Sequence, residues 1–107
     1  MNLNELLQEY FTAFSNKDIN TLITLFADDI VLIDWNTTAY KKEDVLSVFV
    51  EIFKTFKNIK VEINDILINS SKASVQLCLV LDDLKLKVVD IIYFKDSKIC
   101  KIDAYKQ

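Results

Sequence analysis

The chain has no histidine, arginine, glycine or proline. Each absence removes a kind of chemistry. Without imidazole there is no Ser-His or Cys-His nucleophile pair, no histidine-ligated zinc, and no base that titrates near neutrality unaided. Without glycine, neither of the usual phosphate-cradling loops can be built. Without arginine there is no planar bidentate clamp for carboxylate or phosphate. Cysteine is scarce: Cys78 and Cys100 both fall in strand-like runs and are expected as reduced, buried, small hydrophobes.

Long apolar runs are missing too. The longest is far short of a bilayer span. The opening Met1-Asn2-Leu3-Asn4-Glu5 lacks the basic and apolar segments of a secretion signal, so the expected location is the cytoplasm, with no membrane partner. The lysines are scattered, paired at most as Lys41-Lys42, and the net charge is only −3. No basic stripe invites nucleic acid. Acidic pairs exist at Asp28-Asp29 and Asp82-Asp83, but they sit at turn positions with too few oxygen ligands for a metal. No metal and no organic cofactor is expected, and catalysis is left to Asp, Glu, Tyr and Lys.

What is present is a well-patterned α+β sequence. At 107 residues and 51% apolar content, residues 1–107 are expected as a single domain with one continuous core. Leu3, Leu6, Leu7, Tyr10, Phe11 and Phe14 form an amphipathic helical stripe, capped by Asn2 or Asn4 and closed by a left-handed Asn16. Asp18 caps a second helix with Ile19, Leu22, Ile23 and Phe26 as its apolar face, broken at Asp28-Asp29. Ile30 to Trp35 reads as a strand, followed by a connection over 36–40. A third helix opens near Lys41 and buries Val45, Leu46, Phe49, Ile52, Phe53 and Phe56. Strands then follow at 59–68, 72–81, 85–95 and 98–105, separated by short polar turns. Helices first and strands after predict three helices packed on a curved antiparallel sheet. The strand 85–95 is apolar on both faces, so its outer face is expected to meet a second copy of the chain in a homodimer.

Three polar residues interrupt apolar patterns. Tyr10 lies inside the first helix's buried stripe; its hydroxyl needs a partner, or it is a core aromatic reaching the rim. Asp34 shares strand parity with Ile30 and Leu32, where desolvation would make it a useful base; the alternative is a strand-end carboxylate that caps a turn. Asp90 sits at the parity of Leu86, Val88, Ile92 and Phe94, where a carboxyl must pair, accept hydrogen bonds or stay protonated. Asp103 shares parity with Lys101 and Tyr105 and is expected at the surface.

These residues carry a family likeness. Tyr10-Phe-Thr-Ala-Phe-Ser-Asn-Lys-Asp18, then Leu25-Phe-Ala-Asp-Asp-Ile-Val-Leu-Ile-Asp34, resembles the opening of the NTF2-like superfamily and its SnoaL-like branch. The run from Val88 through Asp90 to Tyr105 resembles that family's last two strands, so the likeness spans nearly the whole chain. Within the superfamily the pattern is most similar to bacterial ketosteroid isomerase. That resemblance implies a cone-shaped α+β fold, Asp34 as a general base, and Tyr10 with a protonated Asp90 as oxyanion donors. It also implies a small apolar ligand and a pocket lined by Phe14, Phe26, Trp35, Phe49 and Phe53. The sequence departs from the isomerase pattern at several points: Phe26 and Phe49 stand where supporting tyrosines are usual, Trp35 replaces a proline, and a lysine stands where a glycine is expected before the third helix. A scytalone-dehydratase-like site needs histidine and a limonene-epoxide-hydrolase-like site needs arginine, so composition excludes both. Two readings follow: a proton-transfer isomerase or polyketide-cyclase-like acid/base enzyme, and a non-catalytic dimeric module that binds a ligand or a protein.

Overall fold

Asn2 and Glu5 cap each other reciprocally at the start of helix α1 (Leu3–Ser15): the Glu5 N–H donates to Asn2 Oδ1 at 2.9 Å, and Asn2 Nδ2 donates to Glu5 Oε1 at 2.9 Å. A computed structural model describes residues 2–107. The left-handed residue that ends α1 is Lys17 (φ 55°), not the expected Asn16, which stays at φ −89°. The Asp18 N–H reaches back to Ala13 O (2.8 Å) and the Lys17 N–H to Phe14 O (3.2 Å), a Schellman closure that places the left-handed position one residue later. Lys17 Nζ then donates to Phe56 O, tying this turn to the end of the third helix.

Asp18 caps α2 (Ile19–Leu25) through the Thr21 N–H. This helix has only seven residues and buries Leu22 and Leu25; Ile23, expected inside, faces outward. The chain becomes extended at Phe26, four residues before the expected strand, so Asp28 and Asp29 lie within β1 (Phe26–Ile33) instead of ahead of it. Strand β2 (Thr38–Tyr40) folds back on β1, and α3 (Lys42–Thr55) follows. Of the positions expected to be buried here only Val45 and Phe49 are; Leu46, Ile52, Phe53 and, just past the helix, Phe56 are half-buried, and Ile52 and Phe56 border an open cavity.

The four later strands lie close to their expected bounds: β3 (Ile59–Ile68), β4 (Lys72–Leu81), β5 (Leu84–Lys95) and β6 (Lys98–Lys106). Sheet order is β2-β1-β6-β5-β4-β3. The expectation of a wholly antiparallel sheet needs correction, because β1 pairs with β6 in parallel (Leu32 with Ile102, Ile33 with Asp103). That contact joins the first strand to the last and makes β6 a central strand. Asp103 is consequently not at the surface. It is only 9% exposed on the outer face, between the strands of Ile33 and Ile91, with Lys101 Nζ 3.6 Å away. Cys78 and Cys100 are free thiols and half-buried.

On the inner face, Ala73, Val75, Ile92, Phe94 and Ile99 are buried with Leu6, Leu7 and Leu22 of the helices. Further along the same face Leu79, Leu86 and Ala104 are only partly covered. The core therefore fills one end of the curved sheet and leaves the other hollow. Among the described residues, no helix is long and apolar enough to cross a membrane.

Candidate active site

The hollow end is a cavity of about 610 Å³, within the usual range for small-molecule sites. Its walls are Leu32 of β1, Leu77 and Leu79 of β4, Leu86 and Val88 of β5, and Val48 and Ile52 of α3. Its mouth carries Trp35, Asn36, Glu51, Thr55, Leu84 and Lys106. Trp35 is 37% exposed there, and Lys106 Nζ lies 5.7 Å from the centre of its ring. The aliphatic walls were missed as site residues in the sequence, although they occupy the same alternating parity as the core.

All three polar anomalies line this cavity. Tyr10 enters from α1 and is 4% exposed, its ring held by Phe11 (4.9 Å between centroids), Phe26 (6.2 Å), Phe49 (6.2 Å) and Phe14 (6.4 Å). Phe26 and Phe49 thus pack on the Tyr10 ring but have no polar atom to offer its hydroxyl. Burial, and secondly the charge of Asp90, push the Tyr10 hydroxyl well above its ordinary value, so it is an O–H donor throughout the physiological range.

Asp90, 8% exposed, stands on the inner face of β5. Burial first, and the Asp34 carboxylate second, raise it from 3.8 to about 7, with no hydrogen bond to offset either effect. Among the described residues no fully enclosed side-chain nitrogen or oxygen is unpaired, so the polar atoms of Tyr10 and Asp90 open into the cavity.

Asp34 follows the last residue of β1 and keeps the inward parity of Ile30 and Leu32. One of its oxygens is spoken for: Oδ1 accepts the N–H groups of Asn36 and Thr37, each at 2.8 Å, while the Asp34 N–H donates to Thr37 O at 2.9 Å. Asp34 is therefore both a turn-capping carboxylate and a cavity residue, with Oδ2 left over.

Of the five expected lining aromatics, Phe14, Trp35 and Phe49 border the cavity. Phe26 and Phe53 do not. Phe26 is 1% exposed behind Phe49 (5.5 Å), where α2 passes into β1. Phe53 lies one helical turn beyond Phe49 and packs on the rings of Phe14 (6.0 Å) and Phe49 (6.3 Å). No cluster of three or more potential metal ligands occurs among the described residues.

Helices laid across a strongly curved six-stranded sheet, with an apolar cavity at its open end, define the NTF2-like fold. Similar structures include an NTF2-like protein of unknown function from Cytophaga hutchinsonii (7% identity, 100% of this chain and 91% of that one, TM-score 0.87). A candidate ketosteroid isomerase from Kribbella flavida is similar at 17% identity, covering 96% of this chain and 76% of that one with a TM-score of 0.85. A candidate polyketide cyclase from Sinorhizobium meliloti is similar at 20% identity, 94% and 93% coverage, and a TM-score of 0.84. No curated protein matches the chain in sequence. Residues 7–102 match the SnoaL-like domain, and the chain belongs to that family.

Proposed function

We propose that the chain is a cofactor-free proton-transfer enzyme acting on a small apolar carbonyl compound. Asp34 takes a proton from the carbon next to the carbonyl, and Tyr10 with neutral Asp90 hydrogen-bonds the oxygen as it becomes an enolate. One observation carries this reading. Two buried polar side chains, the Tyr10 hydroxyl and the Asp90 carboxyl, line an apolar cavity, and an anchored carboxylate shares it. Donors held ready in a dry site stabilise developing charge more than water does, because no reorganisation is needed. The turn at 34–37 supports the placement of the base, since its two N–H groups hold Asp34 Oδ1 and fix the carboxylate at the cavity.

The test is exchange of α-hydrogens in D₂O, followed by NMR, with cyclohexanone and 2-tetralone as probes. Wild-type protein is expected to accelerate exchange. Asp34→Asn should lower the protein-dependent rate by about 10²–10⁴ and Tyr10→Phe by about 10²–10³. Exchange at the buffer rate with wild-type protein, or undiminished exchange with Asp34→Asn, overturns the proposal. Either result favours a binding module whose polar trio serves structure, a role to which the ring cluster around Tyr10 also points.

A further inference from the structure

Pairing across the sheet brings one more residue into the site. Ile33 is the partner of Asp103, so Asp34, the next residue of the chain, stands beside Ala104 of β6. Ala104 is in turn the partner of Asp90 on β5. Continuing that register by one residue past the end of β1 sets Asp34 level with Ala104 and Asp90, and all three line the cavity. The preceding row, Leu32, Ile102 and Ile92, is fully apolar and buried. The following row pairs Val88 with Lys106, at the mouth.

Two strand spacings separate the backbones of Asp34 and Asp90 by about 10 Å. The gap between the two acids is floored by a methyl group alone. Every other inward position of β6 carries a larger side chain: Ile99, Ile102 and Lys106. Ala104 is only half-buried although its strand is central, because its exposure is to the cavity.

We infer that Ala104 is the seat of the substrate's reacting unit and the residue that sets how large that unit can be. This rests on the proton-transfer reading of Asp34 and Asp90. With a methyl floor, the fused edge of a bicyclic ketone can lie flat between base and donor. With a branched side chain there, only a single ring or an open-chain ketone fits. Ala104 touches the reacting part of the substrate without taking or giving a proton, so its role is to set the breadth of the unit admitted between Asp34 and Asp90.

The experiment compares kcat/KM for exchange of 2-tetralone with that of cyclohexanone in wild type, Ala104→Leu and Ala104→Gly. Ala104→Leu is expected to lower the bicyclic-to-monocyclic ratio at least tenfold, and Ala104→Gly to leave it equal or higher. A parallel fluorescence titration with 2-naphthol, which needs no turnover, should weaken at least tenfold in Ala104→Leu. An unchanged ratio and unchanged naphthol affinity in Ala104→Leu, with Asp34→Asn still inactive, overturns the seat and leaves the proton-transfer reading standing. Exchange that survives Asp34→Asn overturns the underlying reading; the naphthol titration then judges the seat by itself. Should Ala104→Leu fail to fold, Ala104→Val takes its place with the same expected direction.

Discussion

At the scale of single residues, two groups are held in states they would not choose in isolation. The first is Asp90. Its folded value of about 7 lies above the ordinary 3.8, so the folded protein holds this proton more tightly than the unfolded chain does. The stabilising contribution of the neutral form is complete below pH about 4 and is lost as pH rises through about 7. Other carboxylates contribute slopes of their own, so the measurement is the difference between wild type and Asp90→Asn in denaturant unfolding. Over that interval the wild type should lose up to roughly 1.4 kcal/mol per pH unit relative to the variant. A constant difference from pH 4 to 8 would show that Asp90 is not desolvated. Function should follow the same group: α-hydrogen exchange should decline on the alkaline side of pH 7 as the donor proton leaves, and this limb should be absent in Asp90→Asn.

The second is Lys41, at φ 73° and ψ 150°, a region that is essentially glycine's own and costs other residues about 1–3 kcal/mol. It is kept there because its N–H donates to Ile30 O (2.9 Å) while its carbonyl accepts the Val45 N–H (3.0 Å), joining β1 to the start of α3. Lys41→Gly should stabilise the protein by about 1 kcal/mol after the added flexibility of the unfolded chain, raising the thermal midpoint by about 4–8 °C. Lys41→Ala retains a Cβ and should gain nothing. Equal midpoints for Gly and Ala would remove strain as the cause.

At the scale of elements, what the sequence made legible was whatever short-range pattern controls. The bounds of β3, β4 and β5 were readable because apolar alternation and polar turns repeat within a dozen residues. The turns themselves hold without glycine through Asp82, Asp96 and Ser97 at positive φ. Asp82 adds its carboxylate oxygens, which accept the N–H groups of Lys57 and Asn58 and fasten the start of β3. The early start of β1 was not readable. Phe26 belongs to the apolar spacing of α2 and yet pairs with Ile99, more than seventy positions later. The same distant pairing made β6 central and buried Asp103, which local parity with Lys101 and Tyr105 had assigned to solvent. Of the candidate site, the three polar residues stood out because each broke a local pattern. Ala104 could not stand out, because an alanine in a strand breaks nothing until Asp34 and Asp90 are placed on either side of it.

At the scale of the whole molecule the sheet has a second face, away from the cavity, and its makeup bears on assembly. Val89, Ile91 and Tyr93 of β5 are half-exposed there, and Tyr105 beside them is 60% exposed. Lys72 and Lys101 hold their ammonium groups 5.4 and 5.3 Å from the centre of the Tyr93 ring, and Lys101 also faces Asp103. An apolar strip with both cations and an anion on one patch suits pairing with itself, since a two-fold interface sets each patch against its own copy. We propose that two copies associate through this face, leaving both cavities open on the far sides. Such an interface would need on the order of 800 Å² from each partner. Light scattering during gel filtration should give a dimer for the wild type. Ile91→Glu, which sets two carboxylates against each other near the proposed axis, should give a folded monomer that retains 2-naphthol binding. A monomeric wild type would refute the assembly outright. A monomeric Ile91→Glu that also lost 2-naphthol would instead mean that the inner cavity depends on the outer contact, against the view of the two faces as independent.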